Sequence, residues 1–312
     1  MNNNKVIVTG GSGMVGRSLQ LIYPDAIYLD SKMCNLLDLP QVESIFNEYQ
    51  PIAVIHLAAK VGGIIDNIKK PAEYFDDNVI MNTNILRTSY KYNVNRFIGI
   101  LSTCIYPDRV ENYPMLESDL HKGPPTPTNF SYGYAKRSLA VQIDAYNEQY
   151  STKYQYITPC NLYGEFDKWH ENSHFVAALI KKIILADQEG SRTVQLFGTG
   201  KPLRQFMLSH DLARVIKTCI DNDIRDSFNV APEEVISISE IADIALQAIK
   251  PRHVKQFVYD QTKPDGQYRK DVSNNKMLKL IPGFKFTSLY TGIKSTYNNL
   301  ADNNFQSIIK NS

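Results

Sequence analysis

The chain has 312 residues, 43% of them hydrophobic and 21% charged, a balance that fits a globular protein with one large core or two smaller ones. A formal net charge of +2 sets up no global field for nucleic acid or an anionic membrane, so any anionic ligand must be held by local groups. No apolar run approaches the ~20 residues of a membrane span, MNNNKVIVTGG lacks a signal-peptide core, and Cys34, Cys104, Cys160 and Cys219 are too scattered for a disulfide framework or a zinc site. The expectation is a cytoplasmic protein without nucleic-acid, membrane or metal partners.

Five β-branched runs read as strands, at 5–10 (KVIVTG), 26–30, 52–59, 96–102 and 154–160. Helical patterns near 14–22, 39–49, 71–92 and 131–150 lie between them, two with proline near the first turn at Pro40 and Pro71. Continuous apolar strands alternating with helices predict an α/β fold, a doubly wound parallel sheet of Rossmann type covered on both faces. After about residue 160 the rhythm changes. A helix near 173–187 is followed by the turn FGTGKPLRQF, a helix at 209–220 and FNVA, and SISE at 237–240 reads as a capping box. The expected division is a Rossmann domain of 1–160 with return segments at about 205–232, and a smaller mixed substrate domain of 161–204 and 233–312. The polar C-terminal NNLADNNFQSIIKNS is expected to fray.

The first strand runs into TGGSGMVGRSLQ. Gly11, Gly13 and Gly16 fit G-x-G-x-x-G, and Gly10, Gly13 and Gly16 fit G-x-x-G-x-x-G. Between a strand and a helix, such glycines permit a tight turn and close backbone approach to a pyrophosphate, with free N–H groups at the helix start. Asp30 ends the second strand, where an acidic residue accepts from a ribose 2′-OH and favours NAD. Lys32, just beyond, can instead pair with a 2′-phosphate, so charge leaves NADP(H) and NAD(H) both open.

NFSYGYAKRSLA, residues 129–140, places Tyr132 four residues before Lys136 and Tyr134 two before it. On a helix, positions four apart share a face and positions two apart do not. Lys136 can therefore sit beside Tyr132, and Tyr134 becomes a packing or rim residue. A nearby ammonium lowers a phenol's pKa and makes it a general acid suited to neutral pH. Three other Y-x-x-x-K pairs occur, at Tyr28/Lys32, Tyr259/Lys263 and Tyr290/Lys294. Position selects Tyr132, because the strand before its helix ends in LSTCIYP, which puts Ser102 and Cys104 at the carboxyl end of the sheet.

Glycine loop, strand-end serine and Y-x-x-x-K in this order resemble the extended short-chain dehydrogenase/reductases. GMVG, NLLD, HLAAKVGGI, STCIYP, NLYG, NSHFVAALIKK, FGTGKPLRQF and KPDGQYRKDVS are similar to the branch of GDP-L-fucose synthases, bifunctional epimerase-reductases of GDP-4-keto-6-deoxy-mannose. The resemblance implies that Ser102, Tyr132 and Lys136 form a reduction triad, and that Cys104 and His174 match the epimerisation pair. It implies cofactor contacts at Gly10, Gly11, Ser12, Gly13, Met14, Val15 and Gly16, at Asp30 and Lys32, and at Leu101, Pro159, Cys160, Asn161, Leu162 and His174. Lys182, Phe197, Arg204 and Asp265 match nucleotide-sugar contacts. The resemblance further implies NADP(H), a GDP-linked 4-keto-6-deoxy sugar, and a homodimer paired through the helices near 71–92 and 131–150.

Departures fall in both pockets. Gly11-Ser12 stands where the branch has His-Arg, Phe197 replaces a tryptophan, and Lys181-Lys182 replaces an arginine pair. These changes leave a hexose or a heptose open, and they leave NAD(H) as the alternative cofactor. Read without the resemblance, Cys104 is a small buried hydrophobe, and Asn172 or Ser173 is a plain cap of the following helix. Two competing functions remain: a C4-reductase without epimerase activity, and a non-catalytic dinucleotide-binding regulator. A GDP-sugar dehydratase is disfavoured, because that branch carries Asp-Glu where this chain has Cys104-Ile105.

Overall fold

The computed structural model describes residues 5–169, 173–263, 265–303, 305 and 308. The first half alternates: β1 (Val6–Thr9), α1 (Met14–Gln20), β2 (Ile27–Leu29), α2 (Leu39–Tyr49), β3 (Ala53–His56), α3 (Ile64–Lys69), α4 (Pro71–Lys91), β4 (Arg96–Ile100), α5 (Phe130–Tyr150) and β5 (Gln155–Pro159). Next come β6 (Asn161–Tyr163), α6 (Phe175–Gln188), β7 (Thr193–Phe197), β8 (Leu203–Arg204), β9 (Phe206–Leu208), α7 (Ser209–Asp221) and β10 (Phe228–Val230). The chain continues with β11 (Ile236–Ser237), α8 (Ile238–Ile249), β12 (Gln256–Asp260), β13 (Arg269–Lys270), α9 (Asn275–Leu280) and α10 (Leu289–Asp302).

Every residue of β1, β3 and β4 is buried, as strands covered on both faces require. The sheet has the order β2-β1-β3-β4-β5-β10 and is parallel at every pairing, as the alternating pattern predicts. The succession reverses between β1 and β3. Open α/β sheets bind ligands outside the carboxyl ends of their strands at such a reversal.

One apolar core surrounds this sheet and includes Ile7, Val54, Phe97, Ile157, Ile216 and Phe228. A second gathers α6, α8 and α10 through Ile180, Ile183, Ile241, Ala245 and Ile293. Val272, Met277 and Ile281 pack with the first core. Between the cores, β8 pairs antiparallel with β11 and parallel with β13, while β7 pairs with β12 and β6 with β9.

The capping box at α8 forms as expected. Ser237 Oγ accepts the Glu240 N–H (3.2 Å), and the Glu240 carboxylate accepts the Ser237 N–H (2.8 Å). One expectation is corrected. Ser173 does not cap α6: the capping position belongs to His174, and the Ser173 hydroxyl donates to Lys168 O. Asn172 lies outside the described residues. Residues 298–302 of the C-terminal segment belong to α10, in which Ile293, Thr296 and Leu300 repeat at helical spacing and bury one face; residues 304, 306, 307 and 309–312 lie outside the described residues. Leu300 and Ile308 are 3% and 1% exposed within the second core.

Candidate active site

β1 ends in the glycine loop. Gly10 has φ +71°, and a Cβ there would stand 2.8 Å from Ala58 N, so the position accepts only glycine without strain. A Cβ at Gly16 would lie 2.5 Å from the carbonyl oxygens of both Gly10 and Gly11. Gly11 N–H donates to Leu29 O (2.8 Å) and Gly13 N–H to Gly10 O (3.0 Å). Ser12 and Gly13 are exposed, and Met14 and Val15 are half-buried at the start of α1. This bare backbone at the switch point has the form that a dinucleotide pyrophosphate requires. Asp30 Oδ1 accepts the N–H groups of Lys32 (2.9 Å) and Met33 (3.0 Å), so it is engaged in its own turn, while Lys32 is exposed.

β4 runs out at Ile100, followed by buried Leu101. Ser102 then caps the short turn Thr103–Ile105, its Oγ accepting the Cys104 N–H at 3.3 Å. α5 lies directly against this turn, because residue 133 is glycine: a Cβ there would stand 2.7 Å from Cys104 O and from Pro125 Cβ. Arg137 holds the contact from within α5, donating Nε to Ile105 O (2.8 Å) and Nη1 to Gly123 O (2.9 Å). Tyr132 and Lys136 are thereby buried at 8% and 2% exposure. Tyr134 packs on Phe130, with ring centroids 4.8 Å apart, and under the Arg137 guanidinium at 5.0 Å. It is the packing residue its spacing implied.

The expected electrostatics of this pair are corrected. Burial, followed by the charges of Cys104 and Tyr74, pushes the Tyr132 phenol above its ordinary 10.0, and a hydrogen bond with Ser102 opposes them. Lys136 is directed elsewhere. Its Nζ donates to Ile100 O at 2.8 Å, and burial lowers it to about 8. Tyr132 therefore holds its proton at neutral pH, the form a proton donor needs.

A buried relay lies beneath these residues. His56 Nδ1 meets Thr9 Oγ1 at 2.8 Å and His56 Nε2 meets Asn82 Oδ1 at 3.0 Å, while Asn82 Nδ2 donates to Ala135 O at 3.2 Å. Asn82 spends its N–H on Ala135, so its Oδ1 accepts and His56 carries its proton on Nε2. Burial, then the Lys136 charge, lower the imidazole to about 3, which keeps it neutral. The relay ties β1, β3, α4 and α5 together. A lone histidine in HLAA gives no sign of it in the sequence.

Cys104 lies between two donors, Lys270 Nζ at 3.1 Å and Asn129 Nδ2 at 2.9 Å. Burial raises the thiol, but the Lys270 charge, hydrogen bonds with Ser102 and Lys270, and the His174 charge outweigh it and bring the thiol below its ordinary 9.0. His174 stands at the start of α6 with its side chain 54% exposed, and its Nδ1 lies 3.1 Å from the buried carboxylate of Asp167. The hydrogen bond with Asp167 raises the imidazole above its ordinary 6.5 against the effect of burial. The structure thus brings Cys104 and His174 within electrostatic reach of each other and adds Lys270, Asn129 and Asp167, which sequence reasoning missed. Lys270 had a signal: it lies five residues beyond Asp265 in KPDGQYRKDVS and pairs in register with Arg204 across β13 and β8.

The remaining candidates divide. At the end of β5, Cys160 N–H donates to Val230 O (3.0 Å) and Asn161 Nδ2 to Gln205 O (2.9 Å); burial drives the Cys160 thiol up. Pro159 pairs with Val230 and Leu162 with Met207. Burial lowers the Arg204 guanidinium against the charges of Cys104, Tyr113 and Asp265, and its Nη1 donates to Leu203 O at 2.8 Å. Asp265 accepts from Thr199 N (2.6 Å) and Thr199 Oγ1 (2.7 Å). Lys182 and Phe197 form a separate pair, with Nζ 4.8 Å from the ring centroid; Phe197 is 58% exposed. Among the described residues, no group of three or more His, Cys, Asp and Glu side chains has metal-holding geometry, and no helix is long and apolar enough to cross a membrane.

This combination of glycine loop, parallel sheet and strand-end hydroxyl with Y-x-x-x-K defines a short-chain dehydrogenase/reductase. Residues 6–231 match the model of the NAD dependent epimerase/dehydratase family, and the chain belongs to that family. Within it the chain is similar to a GDP-L-fucose synthase of Dictyostelium discoideum, 37% identical over 309 residues that cover 96% of this chain and 95% of the relative. A GDP-L-colitose synthase of Yersinia pseudotuberculosis is 32% identical over 94% of this chain and 96% of its own length. A crystal structure of a GDP-L-fucose synthetase from Naegleria fowleri bound to NADP superposes with a TM-score of 0.88 at 33% identity, covering 99% of this chain and 97% of that one.

Proposed function

We propose that the protein is an NADPH-dependent epimerase-reductase that converts a GDP-4-keto-6-deoxy sugar to a GDP-linked deoxy sugar in the cytoplasm, for surface glycan synthesis. The observation that carries the reading is the placement of Cys104, with its thiol 3.1 Å from Lys270 Nζ and within reach of His174, next to Ser102 and Tyr132. The names of the relatives support the substrate class, and the NADP-bound relative supports the cofactor.

The C4 ketone of such a sugar acidifies the protons on C3 and C5. The Cys104 thiolate takes one of these protons and becomes a thiol. Protonated His174 returns one to the opposite face and becomes neutral, so the centre inverts. Lys270 favours the thiolate and Asp167 favours the imidazolium. NADPH, when bound, supplies the hydride to C4. Tyr132 gives its proton to O4, Ser102 holds the developing oxyanion, and Lys136 stabilises the remaining phenolate. The glycine loop would accommodate the pyrophosphate, exposed Lys32 would pair with a 2′-phosphate more readily than the engaged Asp30, and Arg204 and Lys182 would supply cations for the GDP diphosphate. The two apolar cores support a division into a cofactor part and a sugar-nucleotide part. Exposed Phe75 and Ile80 on α4 and Val141 on α5 support a homodimer through these helices, which light scattering of the purified protein tests.

The deciding experiment supplies NADPH and GDP-4-keto-6-deoxy-mannose in deuterated water and follows the product by NMR. NADPH oxidation with deuterium at C3 or C5 is expected. Oxidation without deuterium leaves a C4-reductase, and absence of oxidation with this sugar, its heptose analogues and the precursor of GDP-L-colitose sinks the reading. The Yersinia relative is the reason for including the last.

A further inference from the structure

Asn129 has no part in the chemistry described so far, yet its side chain touches the reactive sulfur. It occupies the N-cap of α5 without making a capping hydrogen bond, although asparagine is among the residues best suited to that bond. Its amide is turned to Cys104 instead, with Nδ2 2.9 Å from Sγ. The other end of the amide, Oδ1, is buried with no hydrogen-bond partner. Leaving a buried carbonyl unpaired and a helix end uncapped both cost stability, so the side chain is placed for the sulfur at the expense of its local alternatives.

We infer that Asn129 is a positioning residue for the epimerisation base: its N–H holds the Cys104 sulfur in the thiolate form, opposite Lys270. The inference rests on the reading of Cys104 as the base that removes the C3 or C5 proton. The geometry suits both protonation states. With the amide as it stands, Nδ2–H donates to the thiolate. Once the sulfur has taken the proton, a half-turn of the amide brings the unpartnered Oδ1 to accept from S–H. A lysine cannot make that exchange, because an ammonium only donates. The groups in contact with or within electrostatic reach of Cys104 are Lys270 from β13, Arg204 from β8, His174 from the start of α6, and Ser102 and Tyr132. Asn129 is an uncharged member that can adapt to either state. Gly133 makes the arrangement possible, since only a residue without Cβ lets the first turn of α5 approach Cys104 O so closely.

The test measures the pH dependence of Cys104 alkylation by iodoacetamide, with the modified peptide identified by mass spectrometry. Cys34, Cys160 and Cys219 are buried, so Cys104 is the thiol within reach in the folded protein. Asn129→Ala removes the N–H without adding charge and decides the test; Asn129→Asp keeps the size and capping ability of the side chain but sets a carboxylate beside the sulfur, whose charge alone raises the thiol. NADPH binding serves as the folding control for each variant. The alkylation midpoint is expected to rise by about one pH unit, and deuterium incorporation to fall about tenfold, while NADPH oxidation with an already epimerised ketone changes less than about threefold. An unmoved midpoint in Asn129→Ala overturns the inference, as does an equal loss of exchange and reduction. Cys104→Ser separates this failure from a failure of the underlying reading. Deuterium incorporation that survives Cys104→Ser removes Cys104 as the base. Its loss there, with an unmoved midpoint in Asn129→Ala, removes Asn129 alone.

Discussion

The two halves of the candidate site are built differently. The reduction half, Ser102, Tyr132 and Lys136, comes from one strand end and the helix that follows it, and Tyr132 and Lys136 are almost wholly buried. The acid-base half, Cys104, His174, Asp167 and Lys270, comes from separate segments, and the His174 side chain is 54% exposed. In the first half burial dominates the ionisation, raising the phenol and lowering the ammonium. In the second, neighbouring charges and hydrogen bonds overcome burial and favour thiolate and imidazolium. A site that moves a hydride needs a dry, rigid seat, whereas one that exchanges protons on two faces of a carbon needs opposed charges around an open space.

The largest expected effect tests the buried half. Tyr132→Phe keeps the packing against Tyr74 and removes the donated proton, so NADPH oxidation falls by about 10²–10⁴-fold while NADPH binding, followed by fluorescence, stays near that of the parent. Near-normal turnover would detach Tyr132 from the chemistry. Next comes Cys104→Ser, which removes the thiolate but keeps a small polar group beneath α5. Deuterium incorporation falls about 10²-fold or more, and reduction of an already epimerised ketone persists. Equal loss of both activities would mean that the two halves are one structural unit and that the contrast between them is false.

How each half could be read from the sequence follows the same division. Strands, helices and glycine loop obey periods of two and 3.6 residues and local turn rules, so β1, α2, β4 and α5 were legible to within a few residues. Tyr132 and Lys136 were legible because both lie on one helix after a strand-end serine. Their ionisation was not, because the ammonium turns to Ile100 O, a contact that depends on how α5 meets β4. Lys270 lies within a stretch the sequence marked, but its partnership with Cys104 was not legible, since the two are 166 residues apart and the link runs through a two-residue strand, β13. Asp167 lies only seven residues before His174, yet a charge pair in an irregular loop has no periodicity to mark it.

Lys270→Met sharpens the comparison at an intermediate scale. Methionine retains the length of the stem and removes the charge from the sulfur. The thiol then rises toward the value burial imposes, exchange at pH 7 falls about tenfold, and the alkylation midpoint of Cys104 moves up. Reduction of an epimerised ketone should change far less, because Lys136 rather than Lys270 serves that step. A variant that loses both activities together would place Lys270 in substrate binding instead.

The smallest effect discriminates most finely, because it needs no substitution. Deuterium exchange requires the Cys104 thiolate, whose pKa lies below 9.0, and the His174 imidazolium, whose pKa lies above 6.5. A lowered thiol gains its charge earlier as pH rises, and a raised imidazole keeps its charge later, so the two shifts widen the window in which both are ready. Exchange should therefore fall on both sides, through loss of thiolate as pH drops and loss of imidazolium as pH climbs. Reduction of an epimerised ketone has no use for the thiolate and should lack the acid limb. Its own decline comes as pH rises through about 8, where Lys136 gives up its charge, with the rate at that point about half its plateau. Tyr132 adds no limb in this range, since its proton is held above the ordinary phenol value. Superimposable profiles for the two reactions would show that one ionisation governs both halves, and the separation drawn here between a buried seat and an open, charged rim would not survive.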